Sequence, residues 1–218
     1  MDSVKIDDDL LIPAGRHTLP PERVAELQKE RLMRAMAHCT AQQGYQRTTI
    51  ADVVKLAQTS RSAFYEHFAD KEECFLEAYG QMTRAFIGAS LEAAAKAPDW
   101  RGKLDAGIAT FFRWMAERPE VAASTIVEVH KVGPRGLEAR YRALRDWMST
   151  MEGVAILAER AGDIPELDEV ARAAIIVTAE AYVHDYARRG VVERVEEVTP
   201  RVQALARSLF DPSPGAST

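Results

Sequence analysis

The chain has 218 residues, 47% of them hydrophobic and 28% charged, with a formal net charge of -5. That length can bury one or two cores without a metal or disulfide staple, and the two cysteines, Cys39 and Cys74, argue against a secreted disulfide scaffold and for a reducing cytoplasm. No run reaches the roughly 18 apolar residues of a membrane span, and Asp7, Asp8 and Asp9 carry the wrong charge for an export signal.

Residues 1–19 lack periodicity and carry Pro13 and Gly15, so they read as a mobile extension. Within it, Arg16 and His17 suit either an arm reaching into a minor groove or an unbound tail. Pro20 and Pro21 announce a helix that runs to about Gln43, with Val24, Leu27, Leu32, Met36 and Cys39 on one side, and Gly44 ends it. Thr48 or Thr49 then caps a short helix on which Ile50, Val53, Val54 and Ala57 recur at helical spacing. Gln58, Thr59 and Ser60 separate it from a second short helix over Ser60–Phe68, with Ser60 placed to accept from the free amides of its first turn. Phe64 and Phe68, four apart, anchor that helix, while Arg61, Ser62, Ala63, Tyr65 and His67 occupy the rest of its circumference. Asp70 caps a long third helix, with Glu72 and Glu73 near its positive end. A helix, a tight turn and a second helix with free polar side chains usually bind DNA. Charge agrees: Pro21 to Lys71 holds eight Lys or Arg against six Asp or Glu, in a chain that is acidic elsewhere. A small positive patch of this kind predicts a modest salt dependence of binding.

Beyond the motif helix follows helix, over 71–96, 100–117, 119–131, 135–161, 168–189 and 195–210, with breaks at Pro98, Pro119, Gly133, Gly162 and Gly190. The fold class is all-α. Trp100, Leu104, Ile108, Phe111 and Met115 form one apolar stripe, and Leu137, Tyr141, Leu144, Met148 and Met151 another. The final residues, 212–218, read as a disordered tail. No metal site is expected: Glu180 and His184 lie four apart and His130 two past Glu128, yet no paired Glu-x-x-His or His-Glu-x-x-His motif is present. Phosphate loops and nucleophile elbows are likewise missing, so neither a cofactor nor an enzymatic activity is expected. Cys39 and Cys74 read as packing residues rather than a redox pair.

Phe64, Tyr65, His67, Phe68, Lys71 and Glu72, following a Thr-rich helix start and a helix-turn-helix, give the pattern F-Y-x-H-F-x-x-K-E. Over about residues 28–79 the chain thereby resembles the DNA-binding domain of the TetR (tetracycline-repressor-like) transcription regulators. One position departs from the resemblance: members often carry Ala-Gly-Val-Ser at the turn, and this chain has Ala57, Gln58, Thr59 and Ser60. A left-handed backbone at Gln58 would cost about 1 kcal/mol. The resemblance implies a helix-turn-helix domain over 20–70, then an effector-binding and dimerisation domain over 71–211. It implies a homodimeric, ligand-responsive regulator, a repressor on a palindromic operator, released by a small-molecule effector. Thr49, Tyr65, His67 and Lys71 match positions that commonly touch the phosphate backbone, with Thr48 and Ser60 beside them. Arg61 is the best candidate for reading a base, with Ser62 and Ala63 making smaller edge contacts. The last two long helices are expected to pair with a second subunit through Val170, Ala174, Val177 and Ala181 and through Val198, Val202, Leu205 and Leu209, or else to bury those seams in their own domain. Candidates for a largely apolar effector pocket are Met82, Phe86, Phe111, Trp114, Thr125, Glu128, Tyr141 and Met148. Two other readings stay open: a small-molecule binding helical protein without a DNA target, and an all-α enzyme using the C-terminal cavity.

Overall fold

A computed structural model describes residues 20–162 and 169–210, and within them the chain is helical with no strand. The expected extension over 1–19, with Arg16 and His17, and the expected tail over 212–218 lie outside the described residues.

Helix α1, Pro21–Gln43, begins with proline at its first position, where no amide partner is needed, and stops at Gly44, whose φ of +82° suits glycine. The next three helices all start on side-chain caps. Thr49 and Asp52 form a reciprocal capping box on α2, Ile50–Leu56: the Thr49 hydroxyl accepts from the Asp52 amide at 3.2 Å and the Asp52 carboxylate from the Thr49 amide at 2.9 Å. Ser60 Oγ accepts from the Ala63 amide at 3.0 Å to start α3, Arg61–His67, and Asp70 accepts from the Glu73 amide at 2.8 Å to start α4, Lys71–Ala95. Ser60 and Phe68 are therefore the caps of α3, which is two residues shorter than the sequence suggests. Leu32, Met36, Val53, Phe64, Phe68, Phe75 and Tyr79 pack into one core. It reaches past residue 70 into α4 and takes in Val129 from far along the chain.

Helix α5, Trp100–Glu117, starts on Asp99, which accepts from the Gly102 amide at 2.8 Å, and its five-residue stripe is buried as its spacing predicts. A single helix over 119–131 does not form. Instead α6, Pro119–Ala122, widens into a π-helical turn, Ala123–Val127, and tightens into a 3-10 turn, Glu128–Lys131. The stretch is rich in β-branched residues, and the Thr125 hydroxyl donates back to the Val121 carbonyl at 2.7 Å, a bond that competes with the regular ladder. Then come α7, Pro134–Arg160; α8, Glu169–Arg188; a 3-10 turn, Val192–Val198; and α9, Thr199–Phe210. These elements close a second core around Phe86, Trp100, Phe111, Met151, Ile176 and Val183.

Helix α7 corrects the second expected stripe. Leu137 and Tyr141 are 42% and 58% exposed, because the first turns of α7 bury small residues instead. A Cβ at Gly136 would stand 2.5 Å from the Val129 carbonyl oxygen, so glycine alone permits this approach. Further along, Leu144, Trp147, Met148 and Met151 do face the second core.

The two expected dimer seams differ in the same way. On α8, Val170 and Val177 are 72% and 51% exposed and Ala181 is exposed, with Ala174 half-buried. On the 3-10 turn and α9, Val198 and Val202 are buried and Leu209 packs on the second core, so that seam serves its own domain and leaves only Leu205, among its four residues, exposed.

Candidate nucleic-acid interface and interhelical cavity

Helix α3 is fixed from beneath by Phe64 and Phe68, whose side chains are 0% and 1% exposed with ring centroids 5.5 Å apart. Arg61, Ser62, Tyr65 and Glu66 face outward. A guanidinium nitrogen of Arg61 lies 3.4 Å from the Tyr65 hydroxyl oxygen, and the guanidinium carbon lies 5.8 Å from the Tyr65 ring centre, so the two present one polar, partly aromatic surface. Ser62 shares a 2.8 Å hydrogen bond with Ser60. Thr49 is exposed beside its cap, and His67 is half-buried, with Nε2 3.5 Å from Gln28 Oε1.

Three predicted DNA contacts sit elsewhere. Thr48 is 1% exposed and its hydroxyl donates to the Gly44 carbonyl at 2.9 Å, so it holds the loop after α1 together. Ala63 is 8% exposed and forms part of the inner face of α3. Lys71 turns its ammonium inward, donating at 2.9 Å to both the Tyr45 and Thr48 carbonyls and lying 4.4 Å from the Tyr45 ring centre. Burial pulls its pKa below the ordinary lysine value. Its geometry is that of a clamp on the loop that precedes α2.

The turn between α2 and α3 takes the left-handed conformation at Gln58, with φ of +51°, where family members often place glycine. Arg31 on α1, 7% exposed, donates to the carbonyls of Ala57 and Gln58 and steadies that strained peptide. Nothing in the sequence pattern singles out Arg31. A buried arginine is legible only once its carbonyl partners are brought to it.

At the edge of the second core Met82, Phe86, Phe111, Trp114 and Thr125 line one cavity of ≈ 40 Å³ between α4, α5, α6 and α7. Its far wall, Phe111 and Trp147, is also a wall of a second, more apolar cavity of ≈ 70 Å³ bounded by Ser90, Leu104, Met151 and Ile175. The Phe111 and Trp147 rings lie 4.6 Å apart, centre to centre. Ser90 Oγ and Trp114 Nε1 are buried without a hydrogen-bond partner among the described residues, one at each cavity. Tyr141, Met148 and Glu128 do not line either cavity: Tyr141 faces solvent, Met148 packs within the core, and Glu128 faces the first unit. Trp147 and Glu180 are the chief lining residues that the sequence alone does not flag. Trp147 falls on the stripe of Leu144 and Met151 at helical spacing, which is the signal that could have found it.

Glu180 is ion-paired with Arg140, and burial nevertheless pushes its carboxyl above the ordinary glutamate value. Glu128 is held by the Tyr45 amide and Lys131. Among the described residues no group of three or more His, Cys, Asp or Glu is placed to hold a metal ion. Cys39 and Cys74 are buried free thiols, both with pKa pushed up chiefly by burial. No helix among the described residues is long and apolar enough to cross a membrane.

Two capped helices joined by a turn, with the second anchored by aromatic rings and polar on its outer side, define a helix-turn-helix DNA-binding unit on an all-α scaffold. Residues 32–78 match the bacterial regulatory proteins of the tetR family, so this unit belongs to that family of DNA-binding transcriptional regulators. The whole fold is similar to the fatty acid degradation regulator FadR from Bacillus halodurans, with a TM-score of 0.77 at 17% identity over 92% of this chain and 98% of that one. It is also similar to the transcriptional regulator FadR from Bacillus subtilis, solved in complex with stearoyl-CoA, with a TM-score of 0.75 at 19% identity over 83% and 97%. A third likeness is to the TetR family regulator PfmR from Thermus thermophilus, with a TM-score of 0.62 at 20% identity over 83% and 97%. No curated protein sequence matches the chain.

Proposed function

We propose that the chain is a cytoplasmic, homodimeric repressor that binds a palindromic operator through α3 and leaves it when a largely apolar effector enters the cavity between α4, α5 and α7. The chief support is the outward face of α3: Arg61, Ser62 and Tyr65 are exposed on a helix locked by two buried rings. Arg61 reads a base edge, guanine by a paired hydrogen bond, while Thr49, Tyr65 and His67 meet phosphates. A division into a DNA-binding part over 20–70 and an effector part over 71–211 follows the two cores in outline, with Phe75, Tyr79 and Val129 of the second part completing the first core.

The apolar face of α8, with Ala174, Val177 and Ala181, suits the partner subunit, and two recognition helices about 34 Å apart would read a two-fold site. Apolar walls on both cavities, together with stearoyl-CoA in the Bacillus subtilis neighbour, support an effector with a long acyl chain. Each cavity is well below the roughly 300 Å³ of ordinary ligand sites, so such a chain needs the Phe111–Trp147 partition to turn and the flanking helices to move apart as well. No catalytic step is assigned to the chain.

Selection of bound sequences from a random duplex pool, repeated with stearoyl-CoA and with mixed metabolites present, tests this reading. The expected result is a palindromic sequence lost on adding an acyl-CoA. Recovery of no sequence contradicts the regulator reading; an operator indifferent to acyl chains contradicts only the effector class.

A further inference from the structure

The stretch Val121–Lys131 touches the cavity on one side and the helix-turn-helix unit on the other. Val121, Thr125 and Ile126 line the cavity. Between them Ser124, fully buried, donates from Oγ to the Ala37 carbonyl of α1 at 3.1 Å. Four residues on, the Glu128 side chain is also buried, and its Oε2 accepts from the Tyr45 amide at 2.7 Å while Oε1 takes the Lys131 ammonium at 2.6 Å. Gln46 Nε2 donates to the Lys131 carbonyl at 2.7 Å, so two bonds tie this stretch to the loop that leads into α2. Gly44, beside Glu128, takes a φ of +82° that side chains rarely adopt, and a Cβ there would touch Glu128 Oε2 at an ordinary 3.4 Å.

The backbone joining cavity to loop is the π-helical turn Ala123–Val127. A π turn holds one residue more than an α turn, and closing it to α rotates the downstream residues by about 100°, the angle of one residue. Packed segments of this kind switch between arrangements rather than bending gradually. Resting on the reading of this cavity as the effector site, we propose that Glu128 is the positioning residue through which filling the cavity reaches the DNA-binding unit. A group pressed against Thr125 and Ile126 shifts the π turn and withdraws the Glu128 carboxylate from the Tyr45 amide. The loop 44–48, which Lys71 and Thr48 otherwise hold, then keeps only the Gln46 bond of its two ties to this stretch, and α2 and α3 change their setting.

The Tyr45 amide reports the tie directly, and its hydrogen exchange in the full chain can be read without any effector or operator, so an error in the effector class leaves the test intact. Glu128→Ala is expected to raise that exchange rate about tenfold or more, while Glu128→Gln, which keeps an acceptor oxygen at the same reach, retains most of the protection. Thr125→Leu, which fills the cavity from its own wall, is expected to raise the same rate, and the Thr125→Leu, Glu128→Ala double variant to exchange no faster than Glu128→Ala alone. A wild-type rate in Thr125→Leu, or effects of the two changes that simply multiply, overturns the proposal. Should Thr125→Leu not fold, Val121→Met fills the same cavity and carries the same two outcomes.

Discussion

The helix-turn-helix unit and the effector domain solve the same problem, fixing helices against one another, by different means. In the first, polar bonds set each element: Thr49, Ser60 and Asp70 cap three helices from close by in the chain, while Lys71 clamps two carbonyls and Arg31 braces the turn at Gln58 from farther along it. In the second, aromatic rings from α4, α5 and α7 meet around small cavities, and Phe86, Phe111 and Trp147 owe their positions to one another across long stretches of chain. A reading head is thus set by directional polar bonds, whereas a responsive pocket is set by packing that can shift.

The aromatic anchor is the point at which this contrast between the two regions breaks most readily. Phe64→Ala is expected to cost about 3–5 kcal/mol of stability, seen as a lower denaturation midpoint, because a fully buried ring leaves a cavity. Lys71→Met leaves the Tyr45 and Thr48 carbonyls without their donor and is expected to cost up to about 3 kcal/mol in the same measurement. That loss should leave the salt slope of operator binding nearly unchanged, since the ammonium is spent inside the protein; a slope lowered by about one would restore the phosphate role that the family resemblance suggests. Arg61→Ala is expected to weaken binding of a selected operator by about 1–3 kcal/mol and to relax preference at one base position, with thermal stability unaffected. Gln58→Gly removes the left-handed strain at the cost of a looser unfolded chain, for a net gain of about 0.5 kcal/mol by denaturant titration.

The smallest effect concerns pH. Hydrogen bonds from the Thr49 hydroxyl and amide hold the Asp52 carboxyl below its ordinary 3.8 in the folded state, so the capping box is intact at neutral pH. Its contribution starts to fall as pH drops below 3.8 and is gone once pH passes through the lower folded value. Loss of Thr49 amide protection on acidification checks this, and a transition above the ordinary carboxyl range would contradict it.

Much of the first region is legible in sequence, because caps and anchors depend on neighbours three or four residues away. Thr49, Ser60, Asp70, Phe64 and Phe68 could all be placed in this way. Thr48 and Lys71 could not, since a threonine beside a cap and a lysine at a helix start look solvent-facing until the loop 44–48 closes around them, and neither could Ala63, which turns to the inner face of α3. In the second region the buried stripe of α5 follows from its spacing, but that of α7 does not. Its first turns bury Gly136, Ala139 and Ala143 at least in part while Leu137 and Tyr141 stay outside, the reverse of what side-chain size suggests. Glu128 shows the same limit: a carboxylate among valines signals a partner without naming the Tyr45 amide that turned out to be one.

The most direct test of α3 as the DNA-reading element is the affinity of wild-type protein and Arg61→Ala for random-sequence and selected duplexes at low ionic strength and again near physiological salt. Tight, salt-sensitive retention of a two-fold symmetric duplex, with Arg61→Ala losing selectivity before it loses general affinity, is the predicted result. No duplex retained at low salt, or one held equally well and as selectively by both proteins, would contradict the placement of the outer α3 surface in a DNA groove.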